Sequence, residues 1–188
     1  MTHWLGGMGI VVLTVALIPL LGVGGFQLLK AETPGPEKDK ITPKITATAK
    51  ILWFIYIGLT ALEVLLLMIG GMNWFDAVTH AFATMATGGF GTKNTSIAYY
   101  NSAWIDWVCT VFMILAGMNF SLYYRMFQGK IQDLIKNTEL KVYLAIVIIA
   151  SVLVALTILP EYGTLSRAFR YASFQVASIL TTTGFATT

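Results

Sequence analysis

A five-residue string occurs twice in this chain, 95 residues apart, and each copy follows a long apolar stretch and a shorter one. The copies are Thr87-Gly88-Gly89-Phe90-Gly91 and Thr182-Thr183-Gly184-Phe185-Ala186. Both fit the pattern Thr-x-Gly-aromatic-small, which is typical of filter loops whose backbone carbonyls replace the hydration shell of a potassium ion. A long apolar segment, a short helix and the same string, repeated at one spacing, therefore predict a carbonyl-lined pore.

The composition indicates a membrane protein, because 56% of the residues are hydrophobic and only 11% are charged, against about 25% charged in soluble domains. Four segments are apolar enough to cross the hydrocarbon core, which takes about 20 helical residues. They are residues 4–29, 49–69, 103–124 and 140–159. Residues 74–87 and 166–181 are too short or too polar to span. They are predicted to be re-entrant helices, which persist at membrane depth only when buried in protein or lining a wet cavity.

The basic residues follow a membrane topology. Residues 30–50 and 125–141 contain nine lysines and arginines, whereas the other connections contain only Lys93, Arg167 and Arg170. By the positive-inside rule the two basic segments are cytoplasmic and the strings open to the outside. The net charge of +3 is explained by topology, so no nucleic-acid partner is expected and the lipid bilayer is the expected surroundings.

The repeat predicts the organisation of the chain. Residues 1–29 form the second span of a preceding repeat, 30–48 a cytoplasmic linker, 49–124 a complete repeat, 125–139 a second cytoplasmic linker, and 140–188 the first span, pore helix and filter of the next repeat. Within the complete repeat we predict span 49–71, pore helix 73–86, filter 87–91 and span 103–124. The fold class is an all-α polytopic membrane protein. Because a filter of this kind uses four strands and this chain supplies two, the chain is expected to be a fragment of a four-repeat, pseudo-fourfold pore.

The residue types within the strings suit a dehydrated monovalent cation. Gly89 and Gly184 permit backbone conformations closed to other residues and bring their carbonyls next to a ligand. The aromatic residues, Phe90 and Phe185, are expected to face away from the pore and wedge each string against the surrounding helices. The preceding short helices direct the partial negative charge of their C-terminal ends at the site. The predicted potassium-binding residues are Thr87, Gly88, Gly89, Phe90, Gly91, Thr182, Thr183, Gly184, Phe185 and Ala186.

Five further polar residues are candidates for supporting roles. His80 aligns with Gln175 on the second short helix, which predicts buried polar support behind the strings. Glu63 lies within a span, where a charge is costly and is a functional candidate by default; pairing or hydration is the alternative. Asp76 falls at the start of the first re-entrant helix and is predicted to be a cap. Asp106 falls in the first turn of the third span, where capping or interface pairing is predicted. The sequence shows no ligand spacing for a transition metal.

At these residues the chain resembles the Trk/Ktr/HKT superfamily of potassium transporters, and within it the bacterial Trk type. The segments that carry the resemblance are Thr2-His3-Trp4-Leu5-Gly6-Gly7-Met8-Gly9, Ala86 to Thr92, Gly117-Met118-Asn119-Phe120 and Thr181 to Thr188. The resemblance implies potassium uptake through one polypeptide of four pore-loop repeats, multi-pass in the bacterial inner membrane. It also implies a homodimer with cytoplasmic, nucleotide-binding regulatory subunits. A nucleotide would bind those subunits and not this chain. Coupling by symport with sodium or protons stays open.

The resemblance assigns potassium selection to the filter glycines, here Gly89 and Gly184. Ala186 departs from the glycine of the channel pattern, which leaves the second string less free than the first.

Three alternative functions stay open on the sequence. A subunit of an ordinary potassium channel is disfavoured by two different strings in one chain. A membrane hydrolase that uses His80 with Ser96 or Ser102 lacks a nucleophile motif such as Gly-x-Ser-x-Gly, so no enzymatic activity is expected. A non-conducting scaffold would explain glycines at helix contacts, but not the repeated strings.

Overall fold

The computed structural model describes residues 2–9, 45–119, 122–123, 126 and 137–187. Their regular secondary structure is entirely helical. The helices are α1 (Thr2–Trp4), which continues into a π-helical segment (Leu5–Gly9), α2 (Ile45–Ile69), α3 (Trp74–Met85), α4 (Ala103–Ala116), α5 (Thr138–Tyr162) and α6 (Leu165–Leu180). A 3₁₀ segment, Ser96–Tyr100, lies between α3 and α4. Most of the predicted first span and of the two predicted linkers lies outside the described residues.

Two helices in the described part of the chain, α2 and α5, have the length and composition of membrane spans. Lys50–Ile69 and Thr138–Tyr162 are both long and apolar enough to cross a membrane, as the sequence predicts. Helix α2 begins at Ile45 and α5 ends at Tyr162, so each runs a few residues beyond its predicted apolar core. Helix α5 then stops at Gly163, whose φ of 66° is the left-handed conformation that commonly ends helices.

The third predicted span differs from a single helix over residues 103–124. Helix α4 ends at Ala116, and residues 122–123 are helical again after a turn. A Cβ atom at Gly117 would lie 2.7 Å from the hydroxyl of Tyr143 and 2.8 Å from the methyl carbon of Thr181. The break therefore coincides with a close approach of α4 to α5 and to the end of α6. The apolar pattern continues through this point and does not reveal it.

The two short helices match their predicted positions closely and pack inside the molecule. Helix α3 packs on α2, and α6 packs on both α5 and α4. Their contact faces carry alanines that are buried completely or nearly so, which lets neighbouring helix backbones approach closely. These alanines are Ala77, Ala81, Ala168, Ala172 and Ala177. The C-terminal ends of α3 and α6 lead directly into the two strings.

Candidate functional site

Both short helices end in the same backbone geometry. The C-cap residues of α3 and α6, Ala86 and Thr181, each have φ of −87° and ψ of 1°. The next residues, Thr87 and Thr182, each adopt positive φ, at 52° and 59°. The hydrogen bonds repeat as well. In the first unit, Thr87 N donates to Thr84 O at 2.9 Å and Gly88 N donates to Ala83 O at 2.7 Å. In the second unit, Thr182 N donates to Ile179 O at 3.0 Å and Thr183 N donates to Ser178 O at 2.9 Å. The spacing of 95 residues thus extends to individual hydrogen bonds.

This geometry fixes the direction of the first carbonyl in each string. The amides of Gly88 and Thr183 both donate back to the last turn of their helix. Because the peptide is planar and trans, the carbonyl across the same peptide bond points the opposite way. The carbonyls of Thr87 and Thr182 therefore point away from the helix ends. A first carbonyl turned away from the helix in this way is placed to bind a cation.

The two strings touch each other at their central glycines. Gly89 and Gly184 adopt positive φ, at 65° and 87°, a backbone conformation that other residues rarely take, as the sequence predicts. A Cβ atom added to Gly89 would collide with the carbonyl oxygen of Thr183. A Cβ atom added to Gly184 would meet nothing within 4 Å. The first string therefore has no room for a side chain at its central glycine, whereas the second string has room for one.

Polar groups hold the end of the second string on both sides. The hydroxyl of Ser178 donates to Phe185 O at 2.7 Å, which turns that carbonyl towards α6. The amide of Ala98 donates to Ala186 O at 3.2 Å. The amide of Ala186 donates in turn to the hydroxyl of Ser96 at 3.3 Å. The 3₁₀ segment of the first repeat unit thus fastens the string of the second.

The two aromatic residues of the strings differ in their surroundings. Phe185 is 2% exposed and stacks on the ring of His80, with centroids 5.9 Å apart. It wedges the second string against α3, in the arrangement expected of it. Phe90 is 68% exposed among the described residues and meets His3 edge to face at 5.8 Å.

His80 lies directly behind the first string. Its Nδ1–H donates to Asp76 O at 2.7 Å, and its buried Nε2 has no hydrogen-bond partner among the described residues. A Cβ atom at Gly91 would lie 2.9 Å from that Nε2. Gln175, at the matching place on α6, donates from Nε2 to Thr187 Oγ1 at 3.5 Å. Both residues thus lie behind their strings, where polar support was expected.

We expect acid to destabilise the protein through His80. Burial lowers the pKa of this imidazole below its usual 6.5. As pH falls below that value the unfolded chain binds a proton that the folded chain does not, so the free energy of unfolding falls. Between about pH 8 and about pH 5.5 the thermal midpoint of the purified protein should drop by a few degrees more than that of His80→Gln, which has no titrating group there. Equal drops in the two proteins would contradict the assignment.

A cluster of polar side chains around Asp76, for which the sequence predicts only a cap, anchors the segment after the first string. Asp76 accepts hydrogen bonds from the hydroxyl of Thr92 at 2.6 Å and of Tyr100 at 2.8 Å. Lys93 Nζ lies 3.4 Å from the same carboxylate, and Asn73 caps α3 through Asp76 N at 2.8 Å. The hydrogen bond from Thr92, with those from Tyr100 and Lys93, lowers the pKa of Asp76 to about 2. Burial, and the hydrogen bond to Asp76, raise the pKa of Tyr100 to about 12.

Asp106 and Ser96 have structural partners. Asp106 Oδ2 lies 3.3 Å from Arg170 Nε and joins α4 to α6, which agrees with the pairing predicted for it. The hydroxyl of Ser96 accepts a hydrogen bond from the Ala186 amide, and the His80 ring donates one to the main-chain oxygen of Asp76. The structure thus places neither Ser96 nor His80 in a nucleophile–base hydrogen bond within the described residues. The described part of the chain also contains no cluster of three or more His, Cys, Asp or Glu side chains suited to a metal.

The N-terminal segment forms the wall of a cavity beside both strings. His3 Nε2 donates to Ala86 O at 3.1 Å, and a Cβ atom at Gly88 would lie 2.5 Å from His3 Cδ2. Trp4 stacks on Phe82 of α3 with centroids 4.8 Å apart. The open cavity has a volume of about 890 Å³, and the residues that line it include His3, Trp4, Phe82, Ala86, Thr87, Phe90 and Thr182. The role of His3 was not predicted, because 83 residues separate it from its partner.

Comparison with known proteins gives one consistent result. The family model TrkH, described as a cation transport protein, matches residues 1–188. The chain is 48% identical over 189 residues to the Trk system potassium uptake protein TrkH of Halomonas elongata, an alignment covering 97% of this chain and 39% of that protein. It is 41% identical over 191 residues to the protein of the same name from Escherichia coli, covering 100% of this chain and 40% of that protein.

A solved structure agrees with these sequence matches. The crystal structure of the potassium transporter TrkH from Vibrio parahaemolyticus superposes with a TM-score of 0.79 at 36% identity, covering 99% of this chain and 38% of that one. The predicted all-helical, polytopic membrane fold is thereby confirmed. The chain spans about two fifths of the length of the curated relatives it matches.

Proposed function

The chain belongs to the TrkH family of cation transport proteins, and on that premise we propose that it forms part of a potassium-conducting pore in the bacterial inner membrane. The observation that carries the proposal is the pair of matching helix exits. Each presents a threonine carbonyl away from a helix C-terminus and continues into a glycine of positive φ. Helix C-termini and backbone carbonyls both favour a cation.

The proposed ion path is lined by the two strings, residues 87–91 and 182–186. A potassium ion loses its hydration shell to carbonyl oxygens there, and no covalent chemistry is involved. Gly89 and Gly184 select potassium by setting the positions of those oxygens. His80 and Gln175 support the strings from behind. His80 makes a short hydrogen bond to the main-chain oxygen of Asp76, and Gln175 makes a long one to the hydroxyl of Thr187.

The remaining architecture is proposed from the family and from the repeat. Residues 1–29 close one repeat, 49–124 form a complete one and 140–188 begin a third, so that two further filter strands complete the pore. The whole polypeptide is proposed to act as a homodimer with cytoplasmic nucleotide-binding subunits, which contact the linkers at 30–48 and 125–139. Relatives named for the Trk system and potassium uptake support this assignment.

Uptake of potassium or rubidium tests the proposal in bacteria that lack their own potassium uptake systems. The cells express either the 188-residue chain or the longer polypeptide that we propose contains it. We expect concentrative uptake from the long form alone. Uptake by neither form, with both present in the membrane, would contradict the proposal. Uptake by the short form would replace the four-repeat arrangement with an oligomer of two-string subunits.

A further inference from the structure

The N-terminal π-helical segment and helix α4 are each interrupted at a glycine. Gly7 departs from helical geometry, with φ of −66° and ψ of −135°, and α4 ends at the residue before Gly117. The two glycines lie in similar strings, Leu5-Gly6-Gly7-Met8 and Leu115-Ala116-Gly117-Met118. The two interruptions are therefore matching features of the repeat and not separate irregularities.

Each of these glycines lies against the C-cap of the short helix in the next unit. A Cβ atom at Gly7 would lie 3.3 Å from the Cβ atom of Ala86, which is the first glycine contact. A Cβ atom at Gly117 would lie 2.8 Å from the methyl carbon of Thr181, which is the second. Ala86 and Thr181 are equivalent, because each directly precedes a string. The absence of a side chain lets the interrupted segments approach the caps this closely.

A tyrosine hydroxyl from a neighbouring span completes both glycine contacts. Tyr56 of α2 donates to Trp4 O at 3.3 Å, and Tyr143 of α5 donates to Ile114 O at 3.1 Å. Each accepting carbonyl belongs to the residue three positions before the interrupting glycine. The same two hydroxyl oxygens would lie 3.2 Å and 2.7 Å from a Cβ atom on those glycines. Glycine, cap and tyrosine therefore meet in the same way at two successive boundaries between units.

The two tyrosines do not occupy equivalent places in the sequence repeat. Superposing the strings aligns Tyr56 with Ser151, which lies about two turns of α5 beyond Tyr143. The two units thus reach the same hydrogen bond from different positions along their first spans. This indicates that the contact itself, and not a shared local sequence, is the feature that the two units have in common.

We propose that Tyr56 and Tyr143 are positioning residues, each of which holds the interrupted segment of one unit on the C-cap of the next short helix. The caps lead directly into Thr87 and Thr182, whose carbonyls point away from the helix ends. Fixing the caps therefore fixes the direction of the first carbonyl in each string. This inference rests on the proposed function, since the geometry that the tyrosines preserve is that of the filter.

Removal of each hydroxyl is the central test, made in the full-length transporter. Tyr56→Phe and Tyr143→Phe keep the ring but remove the donor. We expect each variant to reduce the preference for potassium over sodium, measured as the ratio of the two KM values, by about three- to tenfold. That ratio does not depend on how much transporter reaches the membrane, so a general loss of folding would not move it. An unchanged ratio in either variant would overturn the proposal.

Tyr171 provides a matched control. It lies on α6, and its hydroxyl accepts a hydrogen bond from Arg170 of the same helix at 2.9 Å. Tyr171→Phe therefore removes a hydroxyl without altering either glycine contact, and the KM ratio should stay within about two-fold of wild type. A loss as large as that of Tyr143→Phe would contradict a role specific to the glycine contacts.

The glycines test the contacts from the other side. A Cβ atom at Gly6 would meet nothing within 4 Å, so Gly6→Ala should stay within about two-fold of wild type, whereas Gly7→Ala should lower the KM ratio. Gly117→Ala, with the shorter contacts, should lower it most, by about tenfold or more. The double variant Gly117→Ala, Tyr143→Phe should be no worse than Gly117→Ala alone, because both changes affect one contact. Equal ratios for Gly6→Ala and Gly7→Ala, or additive losses, would overturn the proposal.

Disulfide crosslinking measures the first glycine contact without any transport. In a full-length form whose other cysteines, Cys109 among them, are replaced, cysteines at the positions of Gly7 and Ala86 would have Cβ atoms 3.3 Å apart. Disulfides have Cβ atoms about 3.5–4.5 Å apart, so we expect rapid crosslinking on mild oxidation. Adding Tyr56→Phe should slow it about threefold. No crosslinking, or equal rates, would overturn the proposal. If crosslinking behaves as expected but wild type takes up no potassium, the proposed function fails and the tyrosine contact stands.

Discussion

Replacing Gly89 by alanine is expected to abolish selective potassium uptake while the protein still reaches the membrane. Its φ of 65° is the left-handed conformation, and an added Cβ would collide with Thr183 O in the neighbouring string. The conformational strain alone costs about 1–3 kcal/mol, and the collision displaces a carbonyl proposed to bind the ion. At about 1.4 kcal/mol per factor of ten, uptake should fall by about a hundredfold. Gly89→Arg, which adds bulk and a positive charge, should leave no measurable uptake.

Gly184 and Gly71 form a matched series with Gly89. Gly184 has φ of 87° and Gly71 has φ of 96°, and a Cβ at either would meet nothing within 4 Å. Gly184→Ala therefore adds strain within a string but no collision, and we expect about a tenfold loss. Gly71→Ala adds similar strain in the turn before α3, and uptake should stay within about two-fold of wild type. Rubidium uptake per amount of membrane protein measures all three. Equal uptake by Gly89→Ala and Gly71→Ala would remove the basis for the filter assignment.

The features that the sequence predicted well are those with a local cause. The bounds of α3 and α6 agree closely with prediction, because each helix begins after a turn and ends where the string starts. The positive φ of Gly89 and Gly184 was likewise expected, since glycine adopts it at little cost. The repeat made these local patterns specific, because a single Thr-x-Gly-Phe string also fits an ordinary turn.

The features that the sequence did not reveal depend on contacts between distant residues. The break after α4 falls at Gly117, where Tyr143 and Thr181 leave no room for a Cβ atom, although the apolar pattern runs on. Phe90 and Phe185 occupy the same place in the repeat, yet only Phe185 has the ring of His80 to stack on. Such differences arise because the two units are similar in local structure but have different neighbours.

Asp76 shows why a residue read as a helix cap can have a larger role. Its position in the first turn of α3 does favour a carboxylate, and Asn73 supplies the cap. The same carboxylate also accepts hydrogen bonds from the hydroxyl of Thr92, which directly follows the first string, and from that of Tyr100 in the 3₁₀ segment. That segment in turn holds Ala186 of the second string. One carboxylate therefore connects the start of α3 to the outer ends of both strings.

Asp76→Asn is accordingly expected to lower potassium uptake by about tenfold and to weaken the preference for potassium over sodium. Asparagine offers one acceptor oxygen in place of two and turns an N–H₂ group towards donors, so at least one of two hydroxyls loses its partner. Each hydrogen bond to a charged group contributes about 1.5–3 kcal/mol. Thr92→Val removes only one of them and should lose less. Lys93→Gln removes a partly exposed ion pair, worth up to about 1 kcal/mol, and should stay within about two-fold of wild type.

The order of these three variants tests the carboxylate as the centre of the cluster, and pH provides a second check. Because the pKa of Asp76 is about 2 when folded and 3.8 when unperturbed, its stabilising contribution is complete above about pH 4 and is lost as pH falls towards 2. The ratio of wild-type to Asp76→Asn uptake should therefore be constant from about pH 6 to about pH 8. Lys93→Gln as impaired as Asp76→Asn would show that the lysine rather than the carboxylate holds the outer ends of the strings. A ratio that changes across that range would contradict the low pKa of Asp76.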